Sequence, residues 1–337
     1  MAHTSDVLLT VTLLVYLAAF LGYLVEFAFG TRGAVARVAA RPERELVSVG
    51  AEAAASTAWD LPDTAPAAPA SPVVDPRAEK AGSRSGVAGI VGAGLTVVGL
   101  GLHIAVLVTR GLAAGHVPWS NMYEFVVALT AVFTIGWLVL LAVRPAMRPL
   151  GIFITAALVV LLGFAGLVLT AEAGPLTPPL QSSWLKIHVS AAAIASGLLL
   201  LGFVPAALYL VRSAYEAGRF RPGLVTDLAD RLPSADRLER LTFRLHTFAF
   251  PIWTLAIICG AIWAESAWGR YWGWDPKETW SFISWVAYAA YLHARATPSV
   301  KRTVATWFSV AAWITMVINL YVINFVAVGM HSYAGVE

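Results

Sequence analysis

Long runs of apolar residues recur along the whole chain of 337 residues. A helix needs roughly 20 residues to cross a hydrocarbon core about 30 Å thick. Eight runs approach or exceed this length, at about residues 7–29, 87–109, 122–142, 150–170, 188–211, 247–264, 281–296 and 303–327. The pattern therefore predicts an all-α polytopic membrane protein with about eight transmembrane helices, of which the seventh is the shortest.

Composition agrees with this fold class, because 58% of the residues are hydrophobic and only 13% are charged. Such a balance is typical of polytopic membrane proteins and not of soluble domains. The first run has no basic segment before it and is too long for a signal peptide, so residues 1–29 are interpreted as a retained first transmembrane helix. The lipid bilayer is an expected partner of the chain.

The loops between the predicted spans differ in their content of Lys and Arg. One set of loops holds nineteen of these residues, and the other set holds only Arg110, Lys186, Arg270 and Lys277. Because cytoplasmic loops carry the excess of Lys and Arg, the basic set is predicted to be cytoplasmic and both termini extracytoplasmic. The net charge of +3 therefore reflects topology, and no nucleic-acid partner is expected.

Residues 30–86 separate the first span from the rest. Their later part, 51–86, is rich in Ala, Pro and Ser and nearly devoid of large apolar side chains, which is typical of disordered segments. We expect a disordered cytoplasmic linker here, with residues 87–337 forming the transmembrane core. The single cysteine, Cys259, excludes a disulfide framework, a Cys-x-x-Cys pair and a thiolate zinc site within this chain.

A loop predicted at about residues 265–281, on the extracytoplasmic side, contains "WGRYWGWDPKETW", with five aromatic and four charged side chains in thirteen residues. Indole rings bury a large flat apolar area with few rotamers, which suits the face of a planar ligand.

Three of the seven histidines stand out by position. His188 opens the fifth span and His331 follows the eighth, both at the level of the tryptophan loop. Since imidazole nitrogen suits iron, two imidazoles beside an aromatic surface can serve as axial haem ligands. His293 lies about 17 Å along the seventh helix from Phe282, nearer the inner leaflet, where it could bind a second haem. Contacts with lipid headgroups are the alternative for the first two, and an interhelical hydrogen bond for His293.

The other histidines have simpler interpretations. His103 is taken as a packing or hydrogen-bonding residue of the second span, and His246 as an interfacial residue at the inner membrane boundary. His116 belongs to an outer loop that could line the site.

The tryptophan segment closely matches WGxxWxWDxxE, the WWD signature of haem-handling proteins, through Trp268, Gly269, Trp272, Trp274, Asp275 and Glu278. Together with "WLKIHVS", "YLHAR" and "GMHSYAG", it makes the chain from about residue 87 onward resemble the CcsA/ResC family of cytochrome c biogenesis proteins, also labelled CcsB. These are subunits of the system II cytochrome c synthase. The resemblance implies that His188 and His331 bind an external haem b, and that His293 contributes to a haem within the membrane.

The resemblance also implies roles for the loop side chains. The platform under the haem would consist of Trp268, Trp272, Trp274 and Trp280. Arg270 and Lys277 could pair with the haem propionates, with headgroup binding as the alternative for both. Asp275 and Glu278 would orient the loop, and no residue is assigned as a general acid or base.

A member of this family is expected to act as a cytochrome c haem lyase, or holocytochrome-c synthase. It would move haem b outward and present it, reduced and bis-His ligated, for thioether formation with the CxxCH motif of apocytochrome c. Expected partners are the apocytochrome, thiol-reducing proteins and a ResB-type subunit that supplies the missing ligand of the inner haem. The expected location is the plasma (inner) membrane, with the active site on the extracytoplasmic face. The alternatives are a haem transporter without covalent chemistry and a structural haem-b electron-transfer subunit.

Overall fold

The computed structural model describes residues 2–30, 76–118, 120–174, 176, 178–327 and 329–331, and all regular elements among them are helical. The helices are α1 (Ala2–Phe29), α2 (Pro76–Ala114), α3 (Met122–Val143), α4 (Gly151–Val168), α5 (Ser183–Glu216), α6 (Leu224–Arg231), α7 (Ala235–Trp268), α8 (Pro276–Ala296), α9 (Arg302–Val317) and α10 (Ile323–Val326). Short 3₁₀ segments precede α4 (Pro145–Leu150) and α5 (Pro178–Gln181), and a π-helical segment, Ile318–Val322, joins α9 to α10.

Seven of the described helical segments are long and apolar enough to cross a membrane, which confirms the predicted all-α polytopic membrane fold. The seventh predicted span, residues 281–296, lies within α8 and is not among them. Helix α8 has 21 residues, about 31 Å of helix, so its composition rather than its length sets it apart. Length and composition therefore support seven spans in the described part of the chain, where the sequence pattern predicted about eight.

Charged residues stand at both ends of α8, and several Ser, Trp and Tyr residues and His293 lie between them. Lys277 and Glu278, in its first turn, line a cavity at one end of the bundle, which we call the site end. Arg295, in its last turn, donates a hydrogen bond of 3.0 Å from Nη2 to Glu239 near the start of α7. Helix α8 therefore runs the length of the bundle antiparallel to α7, and its charges have partners inside the protein.

Helices α1 and α2 form a close hairpin. A Cβ added to Gly22 would lie 3.0 Å from the carbonyl oxygen of Ala88, so the absence of a side chain lets the two backbones approach. Helix α2 begins at Pro76, ten residues before the predicted end of the linker, and proline suits the first helical position because its φ is already helical. The linker residues 31–75 lie outside the described part of the chain.

A buried ion pair holds the loops at the site end. Arg110 of α2 donates from Nε to Glu124 of α3 at 3.0 Å, and both side chains are nearly inaccessible to solvent. Arg110 also donates to the carbonyl of Ala171, after α4, while Ser120 donates from both its backbone N–H and its hydroxyl to the second Glu124 oxygen at 2.9 Å. One carboxylate thus fixes the segments that lead into α3 and out of α4.

Candidate functional site

A cavity of about 440 Å³ lies at the site end, bordered by α3, α4, α5, α7, α8 and the segment from α9 to α10. This volume is in the range of small-molecule and cofactor sites. The lining is mostly apolar and aromatic, and it includes four of the ten predicted site residues, His188, Trp272, Lys277 and His331. Residues as far apart in sequence as His188 and His331 are therefore brought to one space.

His188 lies in the second turn of α5, whose N-terminus is capped by the Ser182 hydroxyl accepting from the Trp184 N–H at 3.2 Å. Its Nδ1 is 2.7 Å from the carbonyl oxygen of Ala256 in α7. The ring stacks on Trp263, with centroids 6.0 Å apart and planes 12° apart. Because Nδ1 donates to a carbonyl, the lone pair lies on Nε2, the arrangement usual for metal-ligating histidines.

His331 is oriented by a carboxylate instead of a carbonyl. Its Nδ1 donates to Asp275 Oδ1 at 2.9 Å, which again places the imidazole lone pair on Nε2. The ring meets Trp263 at 5.7 Å and Trp268 at 5.1 Å between centroids. One indole, Trp263, therefore contacts both imidazoles that border the cavity.

Asp275 joins the start of α8 to the last described residues. Its Oδ2 accepts from the Met330 N–H at 2.7 Å, and its Oδ1 also accepts from the Lys277 N–H at 3.1 Å. Burial raises the pKa of this carboxyl, but the bonds from His331, Met330 and Lys277 outweigh burial and lower the pKa to about 2. Asp275 is therefore an ionised acceptor at neutral pH.

Glu278 holds the backbone on both sides of a strained residue. Its Oε2 accepts from the N–H groups of Gly273 at 2.8 Å and Asp275 at 3.0 Å, which completes a reciprocal capping box at the start of α8. Between them, Trp274 has a φ of 58° and an indole that is 67% exposed. A bulky residue in this conformation costs about 1–3 kcal/mol and persists only where its surroundings impose it. Arg270 lies 3.8 Å from the same Glu278 oxygen.

The family model described as "Cytochrome C assembly protein" matches residues 119–331. This range is more than half of the chain and contains both cavity histidines and the tryptophan loop. The chain belongs to this family.

Curated relatives named "Cytochrome c biogenesis protein CcsA" agree with this assignment. The chain is 32% identical to the protein of Guillardia theta over 257 residues, which covers 72% of this chain and 85% of the relative. It is 31% identical to a Gloeobacter violaceus protein over 297 residues, covering 72% and 86%. It is 35% identical to a Prochlorococcus marinus protein over 253 residues, covering 67% and 79%. The chain is thus a CcsA-type protein of cytochrome c biogenesis.

Of the four tryptophans that the resemblance assigns to a platform, only Trp272 is among the residues that line the cavity. Trp272 borders the cavity, and Trp268 packs on Trp263 at 4.8 Å between centroids. Trp274 has an exposed indole, and both it and Trp280 are outside the cavity lining. The cavity is therefore walled by a different set of aromatic rings from the one that the motif alone indicates.

Sequence reasoning missed Trp263, the most central of these rings. Ala256, Gly260 and Trp263 recur at i, i+4 and i+7, so they share one face of α7. A Cβ added to Gly260 would lie 2.7 Å from the His188 ring, which shows that the imidazole occupies the space left by glycine. The small residues Ala256 and Gly260 on the same face as Trp263 were the sequence signal that another side chain packs there.

His293 is not brought to the cavity. It is exposed in the last turn of α8, toward the end of the bundle opposite the site. The expectation that it serves a separate, deeper haem is compatible with this distance from His188 and His331.

His103, His116 and His246 make hydrogen bonds within the protein. The ring nitrogens of His103 lie 2.9 Å from the Val127 carbonyl oxygen and 3.3 Å from the Tyr16 hydroxyl, which confirms the packing interpretation. His116 bonds to the Gly174 carbonyl at 3.0 Å and is not among the cavity-lining residues. The interfacial interpretation of His246 is wrong, because the residue is fully buried and its Nδ1 lies 3.2 Å from the hydroxyl of Ser309.

Proposed function

We propose that this chain is the haem-transporting and haem-attaching subunit of a system II cytochrome c synthase, with haem b as its substrate. The observation that carries the proposal is that His188 and His331 border one cavity, each with Nδ1 held by an acceptor. Haem iron takes axial imidazole ligands on its two faces. The described residues contain no cluster of three or more His, Cys, Asp and Glu for a bare metal ion, so an iron here would take its other ligands from a macrocycle.

The cavity lining suits an apolar ring with carboxylate groups. Trp263 and Trp272 provide aromatic surface, and Lys277 provides an amine whose Nζ donates to Asn324. Trp253 Nε1 and Asn319 Oδ1 are buried cavity atoms with no hydrogen-bond partner among the described residues, and substrate or water would satisfy them. Arg270 is directed toward Glu278, so Lys277 is the better candidate for a propionate partner.

The proposed reaction is addition of the two thiols of a CxxCH motif to the two haem vinyl groups. At each vinyl group a carbon–sulfur bond forms, the thiol proton ends on the neighbouring carbon, and no net oxidation occurs. The thiols must therefore arrive reduced, which accounts for thiol-reducing partners. The chain contributes by holding the ring and the peptide in a reactive geometry, since proximity alone supplies large accelerations. Replacement of one axial imidazole by the histidine of CxxCH would release the product.

The proposed topology puts the site end outside the plasma membrane and all eight long helices, α8 included, across it. Arg148, Arg212 and Arg295 lie at the opposite end of the bundle, which supports a cytoplasmic location for that end. Exposed near that end, His293 would ligate an inner haem whose second ligand comes from a ResB-type subunit.

The test uses His188→Ala and His331→Ala in the full chain, expressed with its ResB-type partner and a reporter apocytochrome. Both variants should lose external haem in a pyridine haemochrome assay and lose cytochrome maturation, and added imidazole should restore both because it replaces the missing nitrogen. His116→Ala is the matched control, since His116 bonds to a loop at the site end without lining the cavity.

Unchanged haem content and maturation in both variants would refute the ligand assignment. A wild-type complex that binds haem in this cavity but never forms a thioether with the apocytochrome would instead favour a transporter that delivers haem without covalent chemistry.

A further inference from the structure

One exposed face of α8 leads from His293 toward the tryptophan loop. Phe282, Val286, Ala289 and His293 are spaced at i, i+4, i+7 and i+11, which places them within about 60° of one another around the helix. Phe282, Val286 and His293 are exposed, and Ala289 is half-buried. We call these four residues the α8 track.

Aromatic contacts continue the α8 track into the cavity. Phe282 meets Trp274 edge to face, with centroids 6.4 Å apart, and stacks on Trp285 with planes 7° apart. Trp274 in turn meets Trp272 edge to face at 5.8 Å, and Trp272 lines the cavity. An unbroken series of ring contacts therefore joins Phe282, at the upper end of the track, to the cavity that the two histidines border.

The position of Trp274 in this series is imposed by the fold. Its φ of 58° is a conformation that a bulky residue adopts rarely, and the Glu278 carboxylate holds the N–H groups on both sides of it. An indole kept exposed by a strained backbone points to a role for that exposure.

The inner face of α8 offers no comparable connection in the described residues. Lys277 and His293 are sixteen residues apart, which places them about 160° apart around the helix. The inner face below the cavity is filled by Tyr288 and Tyr291, which are 0% and 1% exposed, and Ser281 is the deepest α8 residue in the cavity lining. On α8 itself, the exposed side is therefore the face that is open between the level of His293 and the cavity.

We infer, building on the proposed function, that the α8 track is the route by which haem moves between His293 and the cavity. The flat apolar ring would slide against Val286 and Phe282, pass over Trp274 and enter beside Trp272. The small side chain of Ala289 leaves room for a ring held close to His293. The movement needs only exchange of axial ligands and makes no covalent bond.

The sharpest test compares neighbouring residues of similar exposure. Phe282 and Ile283 are 42% and 38% exposed and lie about 100° apart on α8. Phe282→Ala removes the ring from the track, whereas Ile283→Ala truncates a side chain beside it. Since an aromatic contact is worth about a two- to tenfold change in an equilibrium, Phe282→Ala should lower haem in the cavity by that factor and raise haem at His293. Ile283→Ala should change neither, and Phe282→Tyr, which keeps a ring, should behave as wild type.

The two haem populations can be measured separately in the full chain with its partner. In a background with both His188→Ala and His331→Ala, the remaining haem reports the His293 level. The cavity haem of each track variant is then the total haem of the complex that keeps all three histidines, less the haem that this background holds. A second obstruction, Ala289→Trp, should block transfer, while Ile283→Trp should not. Haem added directly to the purified Phe282→Ala complex should load the cavity normally, because the track variant leaves the cavity intact.

Normal cavity loading in both Phe282→Ala and Ala289→Trp, with a starved cavity in His293→Ala, would overturn the route and leave the proposed function standing. If the Phe282→Ala cavity also rejects added haem, the side chain acts on the cavity itself and the route is again wrong. A wild-type cavity that holds no haem would defeat the proposed function instead.

Discussion

Replacing Asp275 with Asn tests whether this carboxylate holds His331 in its ligating tautomer. The carboxylate accepts from His331 Nδ1 and the Lys277 N–H on one oxygen and from the Met330 N–H on the other. An amide has only one oxygen. It therefore presents its NH₂ group either to the Met330 N–H, which loses its acceptor, or to His331, whose proton must then move to Nε2 and block ligation.

Two separate estimates give the free-energy cost of this substitution. Leaving a buried donor without an acceptor costs about 1–3 kcal/mol. The pKa of Asp275 falls from 3.8 to about 2, which at about 1.36 kcal/mol per unit gives about 2 kcal/mol, or about 1–2 kcal/mol after solvent screening at this loop. Asp275→Asn should therefore weaken haem binding by about 10- to 100-fold, the range found when partners of metal-bound histidines are removed.

The measurement is a haem titration of the purified complex, followed by absorbance, with added imidazole as a rescue. Asp236→Asn is the matched control, because Asp236 pairs with Arg240 on the surface at the other end of α7. A carboxyl with a depressed pKa contributes above 3.8 and loses its contribution as pH falls through about 2, so the difference between variant and wild type should stay constant from about pH 5 to 8. Wild-type affinity in Asp275→Asn would show that the carboxylate does not control the His331 ring.

Two further predictions concern substitutions at the site end. Gly260→Ala should displace His188 and lower haem absorbance, because the new Cβ would lie 2.7 Å from the imidazole. Gly94→Ala is the control, since a Cβ there meets open space and haem binding should be normal. Full haem binding in Gly260→Ala would argue against this position of the His188 ring. Glu124→Gln should destabilise the chain by about 3–5 kcal/mol in denaturant unfolding, since it leaves buried Arg110 without its charge partner, and adding Arg110→Met should recover part of the loss.

Local sequence indicated several residues that the fold brings to one cavity, and it was less informative about the middle of the bundle. The tryptophan signature and the positions of His188 and His331 at helix ends are local features, so they indicated which end of the bundle holds the cavity. Trp263 was missed because its role depends on how α7 packs against α5. Trp263 lies in an apolar segment, where the sequence alone does not distinguish a cavity-lining tryptophan from a lipid-facing one.

Hydropathy also placed the start of a span wrongly where the charged residues of the helix have partners in the fold. The sequence pattern began the sixth span at residue 247, whereas α7 begins at Ala235 and carries Glu239 and His246 into the bundle. Glu239 is neutralised by Arg295 of α8, and His246 bonds across to α9. Such pairs offset the desolvation cost of burying polar groups between packed helices. A hydropathy window contains only one member of each pair, so it cannot show that the charge is compensated.

The two proposed ligands differ in how firmly the chain holds them. His188 is fixed by a backbone carbonyl between two long packed helices and by stacking on Trp263. His331 follows the short α10 and is fixed through Asp275, which must at the same time cap α8 and hold the Met330 N–H. A helix cap of this kind is worth about 1 kcal/mol, so releasing His331 breaks one local bond network and its edge contacts with Trp263 and Trp268, whereas moving His188 would disturb the packing of α5 on α7. His331 is therefore the axial position better suited to exchange with the histidine of an incoming CxxCH peptide, and His188 the one better suited to keep the ring in place.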